Sequence, residues 1–383
     1  MSFKELSLSN QLQETIQRQG YTHPTPIQEQ TIPHILQGKD VVGIAQTGTG
    51  KTGAFNIPII QHFTNPKPLE PRKPQALILA PTRELAAQID ADLKTFSKGL
   101  GLRTTAIFGG VGQRQQTRKL KQGLHVLVAT PGRLLDLHGQ GHVKFDHIEI
   151  FVCDEADRML DMGFLPDVKR VLKHVPRNRQ TLFFSATWSN KIQNLSQKML
   201  DNPVKVEVEP QASTVDAINQ KLLYVDSNKK KALLRHLLRS GDLDKVLVFT
   251  RTKRKANQVS KNLNKKGFNA RPIHGNKSQS ARTKALNAFR NNNINVLVAT
   301  DIAARGIDVD DITHVIQYDL PDDTEAYVHR IGRTGRAGKN GAALAFCAAH
   351  EKHKLRKVQR LIKQSIPVKQ HRHHSKKAEK AKP

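Results

Sequence analysis

The stretch VVGIAQTGTGKT, residues 41–52, joins an apolar run to a glycine-rich turn, and the helix-compatible stretch GAFNIPII follows it. A buried strand, a glycine-rich turn and a helix in this order are typical of a P-loop, whose backbone N–H groups wrap phosphates. In a P-loop, Lys51 reaches the β- and γ-phosphate oxygens and Thr52 ligates Mg²⁺. The pattern therefore predicts a nucleotide-phosphate site within an α/β fold.

The glycines of this stretch leave an alternative open. The strict P-loop pattern begins with glycine, whereas this sequence has Ala45 at that position. Gly48, Gly50 and Gly53 also satisfy the dinucleotide-binding pattern G-x-G-x-x-G. Lys51 favours the P-loop, because a dinucleotide-binding turn needs no cation there.

The acidic tetrapeptide DEAD, residues 154–157, ends the apolar run IEIFVC. A carboxylate that follows a buried strand lies at the edge where α/β sheets bind ligands. We expect Asp154 to hold Mg²⁺ through water, and Glu155 to orient and deprotonate an attacking water. The simpler interpretation is a solvated acidic turn, but the cluster comes where the Mg²⁺ partner of a P-loop is required.

A third pattern, HRIGRTGRAG at residues 329–338, repeats arginine at every third position among glycines. Guanidinium groups next to small residues grip phosphate oxygens in pairs. In a protein with a P-loop, such arginines stabilise the charge that develops in phosphoryl transfer. The alternative is a basic surface loop without a function.

The composition narrows the class of protein. The 383 residues include 62 Lys and Arg against 33 Asp and Glu, a formal charge of +29, which favours nucleic acid or an anionic membrane surface as the partner. The 2 cysteines, Cys153 and Cys347, lie in apolar runs and exclude a disulfide framework or a cysteine-rich zinc site. The sequence has no signal-peptide pattern and no apolar run long enough to span a membrane, so we expect a soluble cytoplasmic protein.

Short runs rich in Val, Ile, Leu and Phe alternate with helical patterns such as 83–96 and 282–289. This alternation predicts α/β architecture with mostly parallel sheets buried on both faces. The predicted strands are 41–45, 76–80, 104–108, 126–129, 148–153, 181–185, 246–250, 270–274, 296–300, 314–318 and 342–347. The proline-containing segment 201–217 is typical of a linker. Residues 350–383 carry 12 Lys and Arg against 2 acids, so we expect a basic, disordered C-terminal tail.

Taken in order, the motifs of the chain resemble those of the DEAD-box RNA helicases, and most closely the bacterial RhlE-type subgroup. They are YTHPTPIQ (21–28), AQTGTGKT (45–52), PTRELA (81–86), GG (109–110), TPGR (130–133), DEAD (154–157), SAT (185–187), VLVFTRTK (246–253), HGNKSQSAR (274–282), ATDIAARGID (299–308) and HRIGRTGR (329–336). The resemblance implies two tandem RecA-like P-loop domains, residues 1–208 and 217–349, and then the basic tail, residues 350–383.

The resemblance also implies a role for each matching residue. The residues expected to bind ATP are Phe3, Tyr21, Gln28, Ala45, Gln46, Thr47, Gly48, Thr49, Gly50, Lys51, Thr52 and Asp308. The residues expected to act in catalysis are Lys51, Thr52, Asp154, Glu155, Arg333 and Arg336, with Thr52 and Asp154 as the Mg²⁺ ligands. The residues expected to contact RNA are Pro81, Arg83, Gly110, Thr130, Arg133, Arg251, Thr300 and Arg305, and those expected to couple the domains are Asp157, Ser185, Thr187 and His329.

Within the ATP set, the resemblance implies that Gln28 reads the adenine edge, that Tyr21 lies along the base and that Phe3 closes over it. Asp308 is expected to contact the ribose. ATP and Mg²⁺ are the implied cofactors.

These roles imply RNA-stimulated ATP hydrolysis coupled to local, non-processive duplex unwinding or to remodelling of RNA–protein complexes, as in ribosome assembly or RNA decay. The expected partner is single-stranded or duplex RNA with little sequence preference, because contacts to the backbone carry little sequence information. Aromatic residues make up 5% of the chain, which argues against a base-stacking platform. One alternative is an ATP-independent RNA-annealing chaperone, which needs neither Lys51 nor Glu155 nor Arg336. The other is a processive DNA helicase, which an unwinding assay on both polymers distinguishes.

Overall fold

The computed structural model describes residues 2–46, 48–65, 68–208, 218–240, 243–301, 312–335 and 341–382. The chain forms two compact units, residues 1–210 and 211–383. In each unit, core clusters pack on both faces of one parallel sheet. The prediction of two α/β units built on parallel sheets is therefore confirmed.

Within the described part of the first unit, seven strands form one sheet whose neighbouring strands all run parallel. They are β1 (Val41–Ile44), β2 (Ala76–Leu79), β3 (Thr104–Ile107), β4 (Val126–Ala129), β5 (Ile150–Cys153), β6 (Gln180–Ser185) and β7 (Val204–Glu207), and their order across the sheet is β3-β4-β2-β5-β6-β1-β7. Successive residues face opposite sides, so Val152 packs in one core cluster and Phe151 in the other. This two-sided burial explains the near-continuous apolar runs of the sequence.

Helices lie on both faces of this sheet. They are α1 (Asn10–Arg18), α2 (Pro26–Leu36), α3 (Lys51–His62), α4 (Arg83–Phe96), α5 (Gln113–Lys121), α6 (Pro131–Gly139), α7 (Ala156–Asp161), α8 (Leu165–Leu172) and α9 (Asn190–Ser196), after a 3₁₀ turn at Phe3–Glu5. Helix α4 begins where the hydroxyl of Thr82 accepts a hydrogen bond of 3.2 Å from the backbone N–H of Leu85. The helix buries Ile89 and Leu93 in the core, so its N-terminus and the preceding loop are fixed relative to the sheet.

The second unit repeats this architecture with a six-stranded sheet in its described part. Its strands are β8 (Ile218–Tyr224), β9 (Val246–Phe249), β10 (Ala270–Ile273), β11 (Val296–Ala299), β12 (His314–Gln317) and β13 (Gly341–Cys347), in the order β10-β11-β9-β12-β13-β8. Its helices are α10 (Lys230–Arg239), α11 (Lys253–Asn264), α12 (Gln279–Arg290), α13 (Thr324–Ile331), α14 (Lys352–Leu361) and α15 (Lys376–Lys380), with a 3₁₀ turn at Ala349–Glu351. Among the residues described in either unit, no helix has the length and apolar character needed to cross a membrane.

Each predicted strand matches an observed one to within two residues, but β7 and β8 were missed. Strand β7 lies in the segment predicted to be a linker, where it pairs in parallel with β1. As an edge strand it buries Val206 and exposes Lys205 and Glu207, so it has no continuous apolar run. Strand β8 also mixes polar and apolar residues and lies at an edge. In both strands polar residues interrupt the apolar run, which explains why the sequence pattern did not predict them.

The prediction of a disordered C-terminal tail is wrong for residues 350–382, which fold onto the second unit. Helix α14 buries Leu355 and Val358 in the core of that unit, and Ile366 and Ala378 enter the same cluster farther along the chain. These apolar side chains are too few to form a core of their own. They fill positions in a core that the rest of the unit supplies.

The C-terminal segment, residues 350–382, also covers the edge strand β8. The backbone N–H of Leu222 donates to the carbonyl of Pro367 at 2.8 Å, and the N–H of Lys369 donates to the carbonyl of Leu222 at 2.9 Å. An edge strand presents unpaired backbone groups, and this segment pairs with some of them. Backbone pairing of this kind does not depend on side-chain polarity, so the basic composition does not prevent it.

The side chain of His371 bonds the C-terminal segment to the end of β8, and it does so in its neutral form. Its Nε2 lies 3.1 Å from the carbonyl oxygen of Tyr224, which can only accept, so Nε2 carries a proton. Its Nδ1 accepts from the backbone N–H of His373 at 3.2 Å and therefore carries none. Burial, together with the neighbouring His374, His373 and His236, lowers the pKa of His371 to about 4.

We expect the segment to loosen as the pH falls from about 6.5 to about 4. The released imidazole binds a proton with its ordinary pKa, whereas the docked one excludes it, so docking is complete above this window and weakens within it. Hydrogen exchange of residues 366–380, corrected for its intrinsic pH dependence, should therefore quicken across the window.

The His371→Gln variant keeps an N–H donor for the carbonyl of Tyr224 but cannot take up a proton. It should lose most of this pH dependence, whereas His353→Gln, at an exposed position of α14, should behave as the wild type. An unchanged pH dependence in His371→Gln would contradict the assignment.

Candidate active site

The glycine-rich turn lies at the carboxyl end of β1 and leads directly into α3. Gly48 and Gly50 have φ of 90° and 95°, a left-handed conformation that glycine adopts without strain. Gly50 precedes Lys51, the first residue of α3. The hydroxyl of Thr49 donates to the carbonyl of Gln46 at 2.7 Å and closes the turn. The turn and the helix N-terminus thus form the cradle that a phosphate group requires.

Gln28 joins α2 to this turn. Its side-chain carbonyl accepts from the backbone N–H of Thr25, and its amide donates to the carbonyl of Gly50, both at 3.0 Å. A Cβ on Gly50 or Gly53 would lie 2.7 or 2.6 Å from the amide nitrogen of Gln28. Gly53, the last glycine of the dinucleotide-like pattern, is therefore explained by the packing of Gln28. The amide still has one donor and one acceptor position, the pair that the predicted adenine contact needs.

Lys51 is buried near the acidic residues that follow β5, and its ammonium donates to the carbonyl of Ala45. Burial lowers the pKa of Lys51, and the carboxylates of Asp154, Glu155 and Asp157 oppose that shift. The fold thus brings the predicted P-loop lysine next to the predicted acidic cluster, although the two are far apart in the sequence.

The carboxyl group of Asp154 is buried beside Glu155. Burial and repulsion from Glu155 raise its pKa to about 7, although its carboxylate accepts from the backbone N–H of Glu155 at 2.9 Å. A divalent cation would relieve this repulsion, and the oxygens of Asp154 and Thr52 are the hard ligands that Mg²⁺ prefers. Among the described residues, no group of three His, Cys, Asp or Glu side chains could hold a metal alone. The donor set therefore fits a Mg²⁺ ion that shares its coordination with phosphates.

Glu155 precedes α7 in a left-handed conformation, with φ of 49° and ψ of 52°. Such a conformation is rare outside glycine, and it recurs at functional sites. The Glu155 carboxylate pairs with the guanidinium of Arg158, and both side chains are buried. Sequence reasoning missed Arg158, although its spacing of three residues from Glu155 was an available signal. Arg158 holds the carboxylate of the predicted general base in place.

Three of the residues predicted to couple the domains lie together at the ends of β5 and β6. The hydroxyl of Thr187 donates to the carboxylate of Asp157 at 3.3 Å, and the hydroxyl of Ser185 donates to the carbonyl of Thr187 at 2.8 Å. The SAT segment is therefore bonded directly to the last residue of the acidic cluster. Its coupling role stays a prediction.

The predicted RNA contacts of the first unit lie at the ends of β2, β3 and β4, which are neighbours in the sheet. Pro81 follows β2 and is buried, and Arg83 is the first residue of α4. Gly110 follows β3 with φ of 78°, and a Cβ there would collide with the guanidinium of Arg83. Thr130 precedes α6, and Arg133 lies in the first turn of that helix. The structure therefore brings these five residues to one edge of the sheet.

The arginines of the HRIGRTGR motif differ in their surroundings. Arg330 is buried and donates to the carboxylate of Asp301 through Nε and Nη2. Its Nη1 donates to the side chain of Gln317 at 2.7 Å and to the carbonyl of Asp319 at 2.8 Å. Arg330 is thus occupied within the second unit and anchors α13 to the sheet.

The other predicted residues of the second unit are placed as follows. Arg333 is buried, and its Nε donates to the carbonyl of His329 at 3.2 Å. Thr300 is buried after β11, whereas Arg251 is exposed after β9. Their contacts with phosphate or RNA stay predictions. The predicted site residues outside the described part of the chain are Thr47, Arg305, Asp308 and Arg336.

The two aromatic residues predicted to contact adenine have different environments. Tyr21 is 44% exposed, and its ring meets Phe96 edge-on at a centroid distance of 5.4 Å. Phe3 is 5% exposed and belongs to the core of the first unit. A structural role therefore accounts for Phe3 by itself, and both adenine contacts stay predictions.

Comparisons with known proteins show what the chain as a whole is similar to. Family models match residues 25–195 as DEAD/DEAH box helicase and residues 228–338 as helicase conserved C-terminal domain. The ATP-dependent RNA helicase CshA of Limosilactobacillus reuteri is 44% identical over 370 residues, which cover 96% of this chain and 74% of that protein. The DEAD-box ATP-dependent RNA helicase CshA of Geobacillus kaustophilus is 43% identical over 365 residues, 95% of this chain and 77% of that protein. The solved structure of S. cerevisiae Dbp5 bound to RNA and ADP BeF3 has a TM-score of 0.85 at 30% identity, with coverage of 96% of this chain and 95% of Dbp5.

The Gln28→Ala variant tests the predicted adenine contact. We expect ATP binding to weaken by about 1–3 kcal/mol, because the adenine edge loses its hydrogen-bond partners, and GTP binding to change little. Titration with fluorescent analogues of both nucleotides measures the difference. Gln30→Ala, at an exposed position of the same helix, should bind ATP as the wild type. An equal loss for ATP and GTP would mean that Gln28 acts only through its bonds to the turn.

Proposed function

The chain belongs to the DEAD-box family of ATP-dependent RNA helicases, and we propose that its acidic cluster hydrolyses ATP to drive local, non-processive unwinding of RNA. The burial of Lys51 near Asp154 and Glu155, at the carboxyl edge of the first sheet, is the observation that carries the proposal. Buried ionisable groups with perturbed pKa values cluster at functional sites. An ATP-independent annealing chaperone, which needs only exposed positive charge, is not favoured.

In the first unit, different residues bind the phosphates and activate the attacking water. The N–H groups of the turn and the ammonium of Lys51 bind the phosphates. Glu155, held by Arg158, accepts the proton of the water that attacks the γ-phosphate. Thr52 and Asp154 would hold Mg²⁺, which would supply positive charge to offset that of the phosphates.

We extend the proposal to residues whose roles rest on the family resemblance. Arg333 and Arg336 are assigned to the γ-phosphate, Asp308 to the ribose, and His329 to coupling between the units. Cooperative binding of ATP and RNA follows if both ligands favour the same state of the two units.

RNA binding is assigned to residues of both units. In the first unit they are Pro81, Arg83, Gly110, Thr130 and Arg133, at the carboxyl ends of β2, β3 and β4. In the second unit they are Arg251 and Thr300, which follow β9 and β11, and Arg305, which lies outside the described residues. Contacts with phosphate and sugar give little sequence preference, and contacts with the 2′-hydroxyl distinguish RNA from DNA. We therefore propose that the protein binds single-stranded and duplex RNA of many sequences.

The finer assignments are also proposals. We propose that the protein is cytoplasmic and acts in ribosome assembly or RNA decay. Crosslinking to cellular RNA, followed by sequencing of the bound fragments, tests the second assignment. The RhlE-type subgroup stays a prediction, because the bacterial relatives described above carry the name CshA.

The Glu155→Gln variant tests the assignment of the general base. The amide keeps the size and most of the hydrogen bonding of the carboxylate but cannot take the proton. RNA-stimulated ATP turnover should fall by on the order of 10²-fold or more, while binding of ATP and RNA persists. Asp161→Asn, at the exposed end of α7, is the control and should turn over ATP normally. Near-normal turnover in Glu155→Gln would remove Glu155 from this role.

The Gly110→Ala variant tests the RNA edge of the first unit. The added methyl group displaces the guanidinium of Arg83, so RNA binding should weaken roughly 10-fold. The slope of log affinity against log salt should flatten by about 0.7 for each phosphate of single-stranded RNA that the variant no longer neutralises. Gly101→Ala is the matched control, because Gly101 also has a positive φ, of 69°, and a Cβ there meets no atom within 4 Å. A large loss of ATP affinity in the absence of RNA would place Gly110 in the ATP site instead.

A further inference from the structure

A cluster of four charged side chains, three of them buried, lies in the second unit, outside the sites assigned above. Its members are Lys230, Lys255, Asp319 and Glu351. The side chains of Lys230, Asp319 and Glu351 are 2%, 5% and 4% exposed. Two cations face two carboxylates, so the cluster is balanced in charge. Burial of charges is unfavourable unless each is paired and hydrogen-bonded, and here each partner can be identified.

Lys230 uses all three of its N–H donors in this cluster. They reach the carbonyl of Tyr318 at 2.8 Å, the Asp319 carboxylate at 3.4 Å and the Glu351 carboxylate at 2.7 Å. Glu351 also accepts from the backbone N–H of Ala348 at 3.0 Å. This half of the cluster joins α10, the end of β12 and the 3₁₀ turn after β13.

The two oxygens of Asp319 face different partners. Oδ1 accepts from Lys255 at 2.7 Å and from Lys230 at 3.4 Å, whereas Oδ2 accepts from the backbone N–H of Arg251 at 3.0 Å. The backbone carbonyl of Asp319 accepts from Arg330. Burial alone would raise the pKa of Asp319, but the lysines and the N–H of Arg251 hold it below its ordinary value. Asp319 is therefore an ionised carboxylate at neutral pH.

We propose that Asp319 is a positioning residue for RNA binding, which fixes the backbone at Arg251 and anchors α13 through Arg330. The inference rests on the proposed RNA contact of Arg251 and adds a residue that does not itself reach RNA. The side chain of Arg251 is exposed, while its backbone is bonded to a buried carboxylate. A binding loop that is fixed beforehand loses less conformational freedom when the ligand binds.

The Asp319→Asn variant breaks this link selectively. The amide group keeps one acceptor oxygen and replaces the other with an N–H donor. Two ammonium groups face Oδ1, so the amide oxygen turns toward Lys230 and Lys255. The NH₂ group then faces the N–H of Arg251, and two donors cannot bond. The size of the side chain is unchanged.

Glu351→Gln is the matched control. It also neutralises a buried carboxylate that is bonded to Lys230, but the bonds of Glu351 go to Lys230, Leu320 and Ala348 rather than to Arg251. Both variants should therefore lower the unfolding temperature of the second unit by similar amounts. A purely structural role for Asp319 would make the two variants alike in every assay.

RNA-stimulated ATP turnover of the full chain distinguishes these roles. Asp319→Asn should raise the RNA concentration for half-maximal stimulation roughly 10-fold, with turnover at saturating RNA within about twofold of the wild type. Glu351→Gln should leave that RNA concentration within about twofold of the wild-type value. Equal increases in both variants, or no increase in Asp319→Asn, would overturn the proposal.

Arg251→Ala separates this proposal from its premise. If Arg251→Ala raises the half-saturating RNA concentration and Asp319→Asn does not, the role of Asp319 fails and the RNA contact stands. If Arg251→Ala has no effect, the RNA contact fails and the positioning role fails with it.

Hydrogen exchange measured by NMR on the wild-type chain tests the bond between Asp319 and the backbone of Arg251 without any variant. The amide of Arg251 should be protected from exchange. Exchange at the rate of a free amide would overturn the bond.

Discussion

Parallel strands end along one edge of a sheet, and in the first unit the motifs AQTGTGKT, PTRELA, GG, TPGR, DEAD and SAT each follow or overlap the end of a strand and therefore lie along that edge. The strand order divides the edge into two neighbouring parts. The ends of β3, β4 and β2 carry Gly110, Thr130 and Pro81, and the ends of β5, β6 and β1 carry the acidic cluster, Ser185 and the glycine-rich turn. Because β2 pairs directly with β5, the proposed RNA edge and the proposed ATP site are held by one hydrogen-bonded sheet.

Buried charges serve different purposes in the two units, and the directions of their pKa shifts show the difference. In the first unit, burial lowers the pKa of Lys51 and raises that of Asp154, so the charged form of each is disfavoured. Such a site gains from a ligand that brings compensating charge. In the second unit, the lysines lower the pKa of Asp319, so its charge is already compensated within the protein. The first arrangement fits the proposed ATP site, and the second fits the proposed positioning role of Asp319.

The sequence predicts elements that depend on local pattern and fails where long-range contacts decide. The buried strands and α4 follow from apolar runs and periodicity, and the strand–turn–helix context of Lys51 locates the phosphate site. No spacing rule shows that Gly53 is needed to accommodate Gln28, because α2 meets the turn only in the folded chain. Likewise, the spacing of the arginines does not predict that Arg330 bonds to Asp301, Gln317 and Asp319. These contacts are seen only in the folded chain.

The C-terminal segment shows why composition misleads about order. A basic segment with few apolar residues is disordered when it must build its own core, because the buried area does not offset the lost conformational freedom. Here Leu355 and Ile366 enter a core that already exists, and β8 offers backbone partners at its open edge. Just before α14, Glu351 bonds to Lys230, which also bonds to Asp319. The segment predicted from the sequence to be a disordered tail is therefore connected, through buried hydrogen bonds, to Asp319, which positions the proposed RNA-binding loop at Arg251.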